Sequence, residues 1–144
     1  MKDNKGKDKL ANISKKLEDL GRLKQFLQGE MLFHAEDKAD GFYYVRSGEI
    51  RVYKMDEQGK EVEVVRLGPG EFLGEAIVFV SSVFPAFAQA IKDASVLFFE
   101  KSAVTKEMEI DPEISRFFVD LLARKCVVLS TKIESLGLRT VRQR

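Results

Sequence analysis

Between residues 42 and 99 the chain reads as a series of short β-branched and aromatic runs, each stopped by a turn. Residues 42–45 (FYYV) and 50–53 (IRVY) flank Ser47-Gly48-Glu49, where Gly48 can take a positive φ. Asp56-Glu57-Gln58-Gly59 is a turn of the hairpin kind. Residues 61–67 then alternate, with Val62 and Val64 set against Glu61 and Glu63, and Leu67-Gly68-Pro69-Gly70 closes that run. Residues 87–91 and 96–99 supply two more runs across Lys92-Asp93-Ala94-Ser95. Parallel strands need long crossovers, usually helical, and no long helical pattern interrupts this region. The expectation is a mainly β fold with flanking helices, its strands forming an antiparallel β-roll or barrel.

On both sides of this region the period is helical. Leu10, Ile13, Leu17, Leu20, Leu23 and Leu27 recur every three or four residues and predict a helix over residues 11–26. Residues 1–9 alternate Lys and Asp and read as a mobile end. Ser102 is a candidate N-cap for a short helix to residue 110. Asp111 at N-cap and Pro112 at N1 then start a long helix to about residue 135. Along it Phe118, Leu122, Cys126, Leu129, Ile133 and Leu136 step by four or three, close to a heptad seam. Phe117, Leu121 and Val128 form a second stripe beside them. Two stripes predict two contacts, one with the helix's own domain and one with a second copy, so the seam is the expected interface of a homodimer.

Charge and rare residues exclude several functions. Lys and Arg total 24 against 23 Asp and Glu, a formal net charge of +1, which offers no global attraction to nucleic acid. A single Cys allows no internal disulfide, and the N-terminal MKDNKGKDK is no secretory signal, so the expected location is the cytoplasm. No apolar run is long enough to span a bilayer, and no membrane partner is expected. One His and one Cys are too few for the usual zinc centre, and His34 and Cys126 lie far apart for a nucleophile–base pair. No catalytic residue, metal ligand or P-loop is assigned, and the chain is expected not to be an enzyme. His34, after Phe33, reads as a partly exposed strand residue rather than a haem ligand, and Cys126 as core on its apolar stripe.

Asp40-Gly41-Phe42-Tyr43-Tyr44-Val45-Arg46-Ser47-Gly48-Glu49-Ile50-Arg51-Val52-Tyr53 looks like a roll hairpin with its glycine at Gly48. Leu67-Gly68-Pro69-Gly70-Glu71-Phe72-Leu73-Gly74-Glu75 looks like the approach to a phosphate-binding cassette. With the order of elements, these residues resemble the sensor half of the Crp/Fnr family of bacterial transcription regulators, which implies an antiparallel β-roll, jelly-roll-like, of the cyclic-nucleotide-binding-domain fold. The likeness covers roughly residues 12–144. It implies a roll over residues 12–110 after the mobile residues 1–11, and a dimerisation helix over 111–137. Residues 138–144 would be a hinge and the start of a helix-turn-helix domain. DNA would be contacted only through that missing domain, and the chain is expected to be a fragment or a sensor-only product.

The resemblance places the effector at Gly74, Glu75, Ala76, Pro85 and Ala86. In nucleotide-binding members the Gly-Glu pair supplies a carboxylate to the ribose, and an Arg about ten residues on pairs the cyclic phosphate. Here the Arg position falls on Pro85 and the small-residue position on Ala86; no Arg occurs between Arg66 and Arg116. A buried phosphate without a paired cation carries a large desolvation cost. The expectation is therefore weak or no cyclic-nucleotide binding and no other assigned cofactor, with a small-molecule effector of unknown identity. Glu75 is then read as held by backbone N–H groups or a nearby Arg, and residues 76–88 as either a small apolar pocket or filled core, with an apolar rim at residues 84–88. The alternatives are a ligand-free dimerisation module and a cupin-like metalloenzyme, the latter needing a His-rich centre that one His does not supply.

Overall fold

The structure, a computed structural model, describes residues 15, 16 and 18–135, with side chains described as far as Val127. The chain divides into two compact units, Met1–Lys106 and Glu107–Arg144. Among the described residues the first is a β-roll of eight strands: β1 (Gly21–Phe26), β2 (Met31–Phe33), β3 (Gly41–Ser47), β4 (Ile50–Met55), β5 (Glu61–Leu67), β6 (Phe72–Leu73), β7 (Phe87–Ala90) and β8 (Ala94–Glu100). Helix α1 (Lys101–Ile110) follows β8, and α2 (Pro112–Ser135) belongs to the second unit.

The strands form two four-stranded sheets, ordered β1-β8-β3-β6 and β2-β7-β4-β5. Every pairing is antiparallel. The pairs β4–β5, β3–β6, β2–β7 and β1–β8 are nested, so the roll is one long folded-back ribbon. Its tip is the turn at residues 56–59. There Asp56 Oδ1 accepts from the backbone N–H groups of Gln58 at 2.9 Å and Lys60 at 2.8 Å, and Gly59 has φ +82°. The β3–β8 and β4–β7 pairings wrap the ribbon into the jelly-roll order.

One core lies between the sheets. Tyr43, Val45, Leu73, Val96 and Phe98 come from one sheet, and Phe33, Ile50, Val52, Leu67, Ala88 and Ala90 from the other. Strand β8 is buried along nearly its whole length, because its opposite face carries a second apolar layer. In that layer the Phe42 ring lies 5.3 Å from Phe99, 6.1 Å from Phe72 and 6.3 Å from Phe79, centroid to centroid.

Two expectations change. The helix predicted over residues 11–26 is present at Lys15, Lys16 and Glu18, but Gly21–Phe26 is strand β1, registered against β8 from Gly21↔Phe99 to Phe26↔Ala94. Leu23 and Leu27, members of the supposed stripe, are 55% and 65% exposed. Six cross-strand pairs with a buried central strand outweigh a local helical period. Leu10, Ile13 and Leu17 lie outside the described residues. The supposed roll hairpin around Gly48 is not a hairpin either: β3 and β4 sit in different sheets, and Gly48 is the corner where the chain passes between them.

The helical boundaries follow their caps. Asp111 Oδ1 accepts from the Glu113 N–H at 3.0 Å, so Asp111 caps α2 with Pro112 at its first position. Helix α1 begins one residue ahead of Ser102, directly from β8. The Lys101 N–H donates to the Asp40 carbonyl at 2.9 Å, which holds that junction to the start of β3.

Candidate functional site

The segment between β6 and β7 carries most of the residues singled out for an effector. Gly74 has φ +87°, which turns the chain sharply after Leu73. Its carbonyl accepts from the N–H groups of Ile77 at 3.2 Å and Val78 at 3.0 Å, and the Ile77 carbonyl accepts from Val80 and Ser81, both at 2.9 Å. Residues 75–80 are thus a run of tight turns rather than a regular helix. Glu75 is 1% exposed, the one buried charged side chain among the described residues.

Chain direction then reverses against the loop before β3. The Phe84 N–H donates to the Asp37 carbonyl at 2.9 Å, and the Phe84 carbonyl accepts from the Glu36 N–H at 2.8 Å. The Ala39 N–H donates to the Ser82 carbonyl at 2.8 Å, and Lys38 and Val83 form an isolated bridge. Phe84 therefore enters the roll with its backbone pinned, and its ring stacks on Phe33 with centroids 3.8 Å apart and planes 9° apart. Phe33 in turn lies 6.0 Å from Tyr43, which lies 5.1 Å from Phe98. Burial pushes the Tyr43 phenol up to about 12, helped by the charges of Asp40 and Asp37.

Of the five predicted effector residues, Gly74, Glu75 and Ala86 lie at or under the surface of the roll, with Ala86 in the inter-sheet core. Ala76 and Pro85 are exposed. Phe84, read in the sequence as part of an apolar rim, is inside, and Phe33 was not singled out at all. Neither could be found from local pattern, because their contact joins residues far apart in the chain. Of the lysines, Lys92 lies 3.9 Å from Glu49, and Lys38 is bridged through its backbone to Val83 beside the segment.

The other candidates fall as follows. His34 sits just beyond β2 in a turn rather than in a strand. It is exposed, with Nδ1 3.6 Å from Asp37 Oδ2 and its ring 6.0 Å from Phe87. Along α2, Phe118 is buried, Leu122 is half-buried and Cys126 is exposed rather than core. The side chains of Leu129 and Ile133, and all of Leu136, lie outside the described residues. Among the described residues no group of three or more His, Cys, Asp or Glu side chains converges as metal ligands. No helix among them is long and apolar enough to cross a membrane.

Residues 23–111 match the family model described as the cyclic nucleotide-binding domain. The chain belongs to that family. Its similar proteins include the cAMP-activated global transcriptional regulator CRP of Haemophilus influenzae, 30% identical over 74% of this chain and 48% of the relative. The nitrogen fixation regulation protein FixK of Bradyrhizobium diazoefficiens is 31% identical over 88% of this chain and 52% of its own length. The chain thus spans about half the length of these curated relatives. In fold it is similar to a transcriptional regulator from Thermotoga maritima, with a TM-score of 0.76 at 24% identity, covering 87% of this chain and 98% of that one. What this chain shares with Crp/Fnr-type regulators is their sensor domain.

Proposed function

We propose that this domain is the dimeric, effector-sensing part of a cytoplasmic Crp/Fnr-type transcription regulator, and that it does not use cAMP. The observation carrying the second half is Pro85. The cassette keeps the Gly74 turn and the buried Glu75, but the position where the family's phosphate-pairing Arg is expected holds an exposed proline. A phosphate charge against apolar Phe84 and Ala86 would meet a desolvation penalty without the family's Arg to offset it. The domain acts by biasing the arrangement of two long helices, a population shift and not catalysis. DNA is bound by a domain outside this chain. Pairing through α2 is supported by Val119, 61% exposed beside the half-buried Leu122, which leaves an apolar edge on the helix.

Calorimetric titration with cAMP and cGMP tests this reading. No saturable heat is expected for either; a sub-micromolar Kd for one of them overturns it. A second reading, a dimerisation module with no effector, is favoured by the stacked Phe33 and Phe84 rings that fill the roll. A thermal-shift screen against pooled metabolites separates the two, because a ligand that binds only the folded state raises its melting temperature by mass action.

A further inference from the structure

We infer that Phe84 is the specificity-determining residue of the roll: its ring occupies the flat slot between the Gly74 turn and Phe33, and so closes the interior to planar-ring ligands such as nucleobases. This rests on the sensor reading above and adds a second block, independent of the missing cation. One wall of the slot is the Phe33 ring, 3.8 Å from Phe84 and nearly parallel to it. At the ring's edge is backbone: a Cβ placed on Gly74 would lie 3.2 Å from Phe84 Cε1, so the glycine turn borders the ring without a side chain. Phe84 is 4% exposed and shares its core with Leu73, Ala86 and Tyr43.

The ring is not free to swing out by a simple backbone adjustment. Both the N–H and the carbonyl of Phe84 are bonded to the loop at residues 36–37, and Ser82 and Val83 are tied to Ala39 and Lys38. A side chain held this way acts as a resident occupant, filling a space shaped like a flat ring. Pro85 faces outward beside it, so a cation restored at position 85 would leave the slot filled.

The test compares wild type, Phe84→Ala and Phe87→Ala, titrated with indole as a neutral planar probe. The chain contains no Trp, so indole fluorescence reports the ligand alone. Phe87→Ala removes the same ring from the opposite side of β7, where Phe87 stacks on Tyr53. An apolar cavity of ring size stays dry and takes up flat hydrocarbons, so Phe84→Ala is expected to bind indole with blue-shifted emission, at least about tenfold tighter than the other two proteins. Equal binding by wild type overturns the inference, because the slot is then not closed. A folded Phe84→Ala that binds no indole, or equal binding by Phe87→Ala, overturns it too. If Phe84→Ala does not fold alone, it is refolded with saturating indole: a cooperative thermal transition regained only with indole supports the inference, and none regained overturns it. The sensor reading fails on a different result, tight cAMP binding by wild type, so the two failures are told apart.

Discussion

Gly48 lies directly against Ala94. A Cβ at position 48 would sit 2.6 Å from the Ala94 Cα and 2.4 Å from the Asp93 carbonyl oxygen, and its φ is +89°. The corner that carries the chain from one sheet to the other is thus built on the backbone of the β7–β8 turn, with no room for a side chain.

Gly48→Ala is therefore expected to destabilise the roll by roughly 2–4 kcal/mol, combining left-handed strain with a clash against backbone that cannot give way. Gly59→Ala is the matched control. Its φ is +82°, but nothing lies within 4 Å of its would-be Cβ, so only the conformational penalty of about 1 kcal/mol applies. Urea unfolding of both variants checks the difference; equal costs would show that the corner is not tightly packed.

Tyr43 gives the domain an alkaline limit. Its phenol is raised from 10.0 to about 12 in the folded chain, first by burial and then by Asp40 and Asp37. The folded state therefore holds its proton after the unfolded state has released it. The stability this contributes is fully present below pH 10.0 and is lost as pH rises toward about 12. Tyr43→Phe is expected to flatten that part of the stability–pH curve while leaving neutral stability nearly unchanged. Unfolding midpoints measured across the alkaline range decide it, and an unchanged slope in the variant would place the titration elsewhere.

Arg51 ties together the outer face of the second sheet. Its Nε donates to Gln89 Oε1 at 2.9 Å, its Nη2 lies 2.8 Å from Glu61 Oε1, and its guanidinium stands 4.0 Å over the Tyr53 ring. Glu61 is half-exposed, so the ion pair itself adds little. Most of the effect comes from the ring contact and the covered stem, and Arg51→Ala is expected to cost about 1–2 kcal/mol. Arg51→Lys should recover less than half of that, because an ammonium does not reproduce the planar fork. A double-mutant cycle with Glu61→Ala should show a coupling of under about 1 kcal/mol.

Local chemistry was enough to place much of this fold. The β4–β5 turn was legible from Asp56 and Gly59, and the α2 start from Asp111 and Pro112; residues 61–67 are the expected strand, but Val62 and Val64 are exposed like the Glu residues they alternate with. Each depends on contacts a few residues apart. The Gly74-Glu75 turn and the proline at position 85 were likewise visible as residues. Strand β1 was not legible, because its partner β8 lies some seventy positions along the chain. Nor was the two-residue β6, too short to show a period.

The amino-acid sequence by itself determined an antiparallel roll flanked by helices, the glycine turn before Glu75 and the proline at position 85. Only the tertiary structure decided that β3 and β4 part into different sheets and that Gly21–Phe26 is strand rather than helix. It alone brought Phe84 onto Phe33 against the Gly74 turn. The reason is range. Turns, caps and missing charges are properties of neighbouring residues, whereas sheet membership and the filling of an interior depend on which distant segments compete for the same buried surface.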